Sequence, residues 1–182
     1  MRRHSLSPWE IPASLLHNCD LIGILTRRAV LERYQGSMLG VLWAFVQPLI
    51  MLSLYTFFFG AVLKVRWGGE ERDTADFALI FFAGLIPFNL FSECLAGAPN
   101  IILGNVTYVK RVVFPLETLS FVSVAAALFQ AAISTVAWLL LYVLLVGSPH
   151  VTMLWLPVLY MPLVLIALGV SWGFAVLGAY FR

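Results

Sequence analysis

Two stretches of this chain carry no charged side chain: the thirty residues 34–63 and the sixty-four residues 118–181. Roughly 20 apolar residues are enough to cross a bilayer as a helix, so the first run has room for one span and the second for two. The second run is punctuated once, at Gly147-Ser148-Pro149-His150, which reads as a tight turn between spans. Composition agrees: 62% of the chain is hydrophobic and 11% charged, against about 25% charged in a soluble domain. The mean hydropathy is +0.95. The apolar runs are unbroken and lack the ten-residue alternation of a membrane β-barrel. Helices, which satisfy their own backbone hydrogen bonds, remain, and the chain reads as an all-α integral membrane protein.

Met1-Arg2-Arg3-His4 could open a targeting signal, but a signal needs its apolar region directly afterwards. Glu10, Asp20, Arg27, Arg28, Glu32 and Arg33 follow instead, which rejects both a secretory and a twin-arginine signal. From residue 12 to 33, Ile11, Leu15, Cys19, Ile22 and Ala29 fall near one side of a helix, and His17, Asp20 and Arg28 fall on another. That pattern predicts an amphipathic helix in the membrane interface; a cytosolic helix packed on a partner is the alternative, and Trp9 suits either.

The first span is expected over 37–63, with an interface segment, 1–35, before it. Gly36 and Gly40 at its entrance have the GxxxG spacing that lets helices approach closely, and Gly169 and Gly173 repeat it near the carboxyl end. Pro48, after Gln47, should kink the span, since it removes one backbone donor and clashes one turn back. A polar loop, 64–76, has three basic and four acidic residues. The second span, 77–98, contains Pro87 and Glu93. The segment 99–117 is too polar and too punctuated for lipid and reads as a loop holding a short helix. Spans three and four follow at 118–146 and 153–181. Five Arg precede the first span, Lys110 and Arg111 lie in the second loop and Arg182 closes the chain, which puts these regions and both termini in the cytoplasm. Lys64, Arg66 and Arg72 in the first loop oppose that orientation.

No catalytic constellation is visible. His4, His17 and His150 are isolated, so no metal site is expected, and Cys19 and Cys94 form no CxxC pair. Glu93, with Asn89 one turn earlier, reads either as an acid that contacts cargo or as a helix-end acid, hydrogen-bonded or snorkelling to the cytoplasm. Phe77, Phe81, Phe88 and Phe91 fall within about 80° on one helix face. Such a stripe is either a sugar-stacking track or a surface for lipid and helix packing. The run from Tyr55 to Phe59 fits an interfacial aromatic belt. No GxxxxGK[ST] phosphate loop occurs, so active transport would need an ATPase on another chain. No cofactor and no nucleic-acid partner are expected for this chain.

At Arg33-Tyr34, Ser37, Leu39-Gly40, Trp43 and Pro48 the sequence resembles the permease subunits of bacterial ABC exporters for O-antigen, capsule and teichoic-acid polysaccharides. The run from Ala83-Gly84 through Pro87-Phe88-Asn89 to Glu93 looks like that family's second span, and the run from Asn105 through Lys110-Arg111 to Phe114-Pro115-Leu116-Glu117 like its cytoplasmic loop. The resemblance covers nearly the whole chain. It implies an interface helix at the amino end, to which Arg27, Arg28, Arg33 and Tyr34 belong, two permease copies around a conduit, and two separate nucleotide-binding subunits. It further implies a coupling helix in the second loop, with Asn100, Asn105, Tyr108, Lys110, Arg111, Phe114 and Pro115 facing the ATPase. The expected function is outward export of a lipid-linked glycan across the bacterial inner membrane, with Phe77, Phe81, Phe88, Phe91 and Glu93 as a possible substrate path. Family members have six spans and periplasmic gate helices, so a chain with four reads as a piece lacking the last two. Export of a drug or lipid is a second reading, and a non-transporting four-span scaffold is the rival from another class. A membrane enzyme ranks below both, for want of paired acids or a His cluster.

Overall fold

The computed structural model describes residues 19–36, 39–59, 74–104, 117–148 and 150–180. These are helical almost throughout: α1 over Cys19–Tyr34, a 3-10 turn at Gly40–Leu42, α2 over Trp43–Phe57, α3 over Thr74–Gly97, a short α4 over Asn100–Gly104, α5 over Glu117–Leu145, a second 3-10 turn at Val151–Trp155, and α6 over Leu156–Tyr180. Among the described residues four stretches are long and apolar enough to cross a membrane: Gly40–Phe57, Phe77–Gly97, Thr118–Leu145 and Val151–Tyr180. They overlap the four expected spans, and α4 falls in the segment 99–117 expected to hold a short helix. Residues 37–38 and 60–63 of the expected first span lie outside the described residues.

Backbone chemistry explains the boundaries. Gly36 and Gly40 take φ of +90° and +53°, a region glycine enters without steric cost, so the GxxxG pair forms the corner between α1 and α2. A Cβ built on either would meet nothing within 4 Å, and the same holds for Gly169 and Gly173. Among the described residues, therefore, no other helix is seated closely on either pair. Gly147, at φ +104°, stops α5 in the expected turn. Pro157 falls in the first turn of α6, where an N–H has no intrahelical partner to lose.

α5 is the central helix and packs against α1, α2, α3 and α6. Its inward face is built from small residues: Ala127 and Ala131 join the main core with Leu52 of α2, Leu79, Phe82, Ile86 and Leu90 of α3, and Ala167 and Leu168 of α6. Small side chains let helix backbones approach where lipid offers no hydrophobic drive for association. Leu144, Leu154, Leu159, Leu165 and Val176 stay exposed on the outer faces, which suits a lipid surround. A second cluster pins α1 to the bundle, with Val30, Tyr34, Ala44, Ala126 and Ile133 buried together.

Polar ties cross the core. Trp138 Nε1 donates to the Leu79 carbonyl at 2.8 Å, joining α5 to α3. The Tyr160 hydroxyl lies 3.2 Å from Thr135 Oγ1, joining α6 to α5.

Candidate functional site

The site starts from a proline. Pro48 has no N–H, so the carbonyl one turn back, on Ala44, loses its helical partner. Ala44 is fully buried, where an unpaired carbonyl is costly. Gln130 of α5 compensates by donating from Nε2 to the Ala44 oxygen at 3.3 Å. The other end of the same amide, Oε1, accepts the hydroxyl of Tyr34 at the end of α1. One side chain thus binds three helices: α1 through Tyr34, α2 through Ala44, and α5 on which it rides.

Beside this tie lies an ion pair. Arg33, the neighbour of Tyr34, donates to the Glu93 carboxylate near the end of α3. Both side chains are about one-third exposed, at 39% and 33%. Burial raises the Tyr34 phenol above its ordinary value, with Arg33 opposing and Glu93 adding. α1 therefore ends in two consecutive polar anchors, one into α3 and one into α5.

These anchors stand at the margin of a cavity of about 320 Å³ between α2, α3 and α5. Its polar lining is Gln47, Asn89, Glu93, Gln130 and Ser134, with Tyr55 among the aromatic residues. Gln47 and Asn89 are exposed to it and make no hydrogen bond among the described residues. Five polar side chains gathered within membrane-spanning helices mark a path or a site, because isolated polar groups there are expensive.

The expected site residues divide. Glu93 is on the cavity wall and paired with Arg33. Of the phenylalanine stripe, Phe77 and Phe81 pack with Tyr55 and Phe59, at centroid separations from 4.9 to 6.3 Å. Phe91 packs against the core, and Phe88 is 62% exposed. None of the four lines the cavity. Arg27 is exposed on α1, and Arg28 is paired with Glu32 one turn on at 2.6 Å. Asn100 opens α4 and is exposed. Asn105, Tyr108, Lys110, Arg111, Phe114 and Pro115 lie outside the described residues. Among the described residues no three His, Cys, Asp or Glu side chains gather to hold a metal ion.

Gln130 and Ser134 were missed from sequence. The signal was present: Gln130 is the one side-chain amide in the uncharged run 118–181, and a lone amide inside a span calls for a partner.

Comparison with known proteins bears on what this arrangement serves. The family model described as ABC-2 type transporter matches residues 20–182. Two O-antigen export system permease proteins RfbA of Klebsiella pneumoniae are similar to the chain. One is 25% identical over 165 residues and the other 27% over 167; each alignment covers 90% of this chain and 61% of the relative. An O-antigen export system permease protein RfbA of Myxococcus xanthus is 30% identical over 95 residues, 52% of this chain and 34% of that protein. The chain thus spans about three fifths of the length of the two Klebsiella relatives.

Proposed function

Because this chain belongs to the ABC-2 type transporter family, we propose that it is the membrane-spanning permease part of an ATP-driven exporter that moves a lipid-linked polysaccharide outward across the bacterial inner membrane. The observation that carries the reading is the polar cavity among the spans, anchored to an amino-terminal helix by Arg33 and Tyr34. A scaffold has no need of unpaired amides at that depth. The named relatives support a polysaccharide as cargo.

In this reading a separate nucleotide-binding subunit hydrolyses ATP and a second permease copy completes the conduit. Both chain ends face the cytoplasm. The second-loop residues Asn100, Asn105, Tyr108, Lys110, Arg111, Phe114 and Pro115 meet the ATPase, and α1 carries its movement to the bundle. Mechanically, a displacement of α1 pulls on α3 through Glu93 and on α5 through Gln130, two of the three helices that wall the cavity. An ion pair and a hydrogen bond suit that work, since they transmit force while engaged and release without breaking the apolar core.

The test is deletion of the gene that encodes this chain, with surface glycan and lipid-linked glycan measured separately. Export predicts loss of the surface polymer and accumulation of the lipid-linked form inside. Normal surface glycan would sink the reading. In the complemented strain Arg111→Glu should leave membrane insertion intact and reduce co-purification of the ATPase; wild-type recovery would remove the second loop from the coupling role.

A further inference from the structure

We propose that the cavity between α2, α3 and α5 is a binding site for one uncharged, hydroxyl-bearing ring, and that Gln47 and Asn89 are the residues that hold it.

The charge on the wall decides the class of ligand. Glu93 is the single ionisable carboxylate lining the cavity and is already neutralised by Arg33. The remaining polar groups, Gln47, Asn89, Gln130 and Ser134, are neutral. A cation finds no free carboxylate there and an anion no free cation, so neither class is favoured. Gln130 is itself occupied, accepting from Tyr34 and donating to the Ala44 carbonyl. Gln47 and Asn89 are the amides left open, on facing helices, and each presents a donor pair beside an acceptor. That double character matches hydroxyl groups, which also donate and accept. The Glu93 carboxylate and Ser134 add acceptor and donor capacity, and Tyr55 supplies an aromatic wall.

Size agrees. About 320 Å³ is at the small end of the roughly 300–1,000 Å³ that ligand pockets occupy. It has room for a single ring. The identification of that ring as a sugar of the cargo rests on the export reading; the preference for a neutral hydroxylated group rests on the wall alone. The site is distinct from the phenylalanine stripe, whose Phe77 and Phe81 are consumed in packing.

The test uses the protein in lipid vesicles, with its native cysteines, Cys19 and Cys94 among them, changed to Ala and a single reporter, Ser134→Cys, on the cavity wall. The rate of labelling by N-ethylmaleimide is read with three probes that share one tail: octyl glucoside, octyl sulfate and octylammonium. The expected result is several-fold slower labelling with the glucoside and none of that protection with the two charged probes. In the Gln47→Leu, Asn89→Leu background labelling should persist and the glucoside should no longer protect. Equal protection by all three probes, protection by a charged one, protection that survives the double leucine change, or a reporter that never labels would each overturn the site. Glycan export measured by gene deletion is independent of these rates, so failure here with export intact removes the site and leaves the transport reading standing.

Discussion

At Gly178 the side chain is limited to a hydrogen atom by its neighbour. A Cβ built there would come within 2.7 Å of the Pro99 Cα and 2.9 Å of its carbonyl carbon, backbone atoms that cannot swing aside. Gly178→Ala should therefore push α6 off the turn after α3 and cost about 1–3 kcal/mol, the range for overpacking. Thermal unfolding in detergent should show a lower midpoint; an unchanged one would mean that the turn yields freely. Trp138→Phe should cost about 1 kcal/mol through loss of the N–H given to Leu79, with packing largely kept. Tyr34 adds a pH dependence. Burial favours its neutral phenol, so the folded chain holds the proton beyond the ordinary value of 10.0. The stability it contributes is whole below that pH and falls as pH climbs from there towards the raised folded value, because only the unfolded chain ionises in that window. A melting series across that window should slope downward in the wild type and flatten in Tyr34→Phe; parallel slopes would exclude Tyr34 as the cause.

Among elements, the sharpest expectation concerns α2 and α5. Gln130→Leu leaves the Ala44 carbonyl buried without a partner and should cost about 1–3 kcal/mol. Pro48→Ala restores an N–H to that carbonyl from within α2, so the double change should recover part of the loss. A double-mutant cycle measures the non-additivity, and strict additivity would show that the two positions do not share the carbonyl. The Arg33–Glu93 pair is partly exposed, and such pairs are worth about 0.2–1 kcal/mol. Its value lies in coupling α1 to α3. Glu93→Gln should make α1 more open to trypsin at Arg27 and Arg28, and exchanging the two charges, Arg33→Glu with Glu93→Arg, should restore protection. Equal cleavage in all three proteins would mean that the apolar contacts of Val30 and Tyr34 hold α1 unaided.

Across the whole molecule, an even number of spans returns both ends of the bundle to one side of the membrane. A cysteine introduced as His150→Cys should react with a membrane-impermeant reagent from the face opposite to one placed at Gln35, in the turn after α1. Reaction of both from one face would overturn the four-span topology. Three of the four spans were legible beforehand because charge is so costly in lipid that its absence over 34–63 and 118–181 leaves no alternative to spans, and Gly147 with Pro149 leaves one place to divide the longer run; the remaining one, 77–98, was legible despite Glu93. The site was legible only in part. Glu93 stood out as a carboxylate within a span, whereas the phenylalanine stripe read either as a sugar track or as a packing surface, and Phe77 and Phe81 pack against Tyr55 and Phe59. Helical periodicity says which residues share a face and nothing about what meets that face. The all-helical membrane architecture and the number of spans were thus determined by the sequence alone, through transfer energies that act residue by residue, and its motifs carried the resemblance to an exporter permease. Only the tertiary structure decided that Pro48, Gln130 and Tyr34 form one network and that Gln47 and Asn89 open into one cavity. Those groups lie as far as 96 positions apart, and their meeting depends on how three helices pack rather than on any one of them.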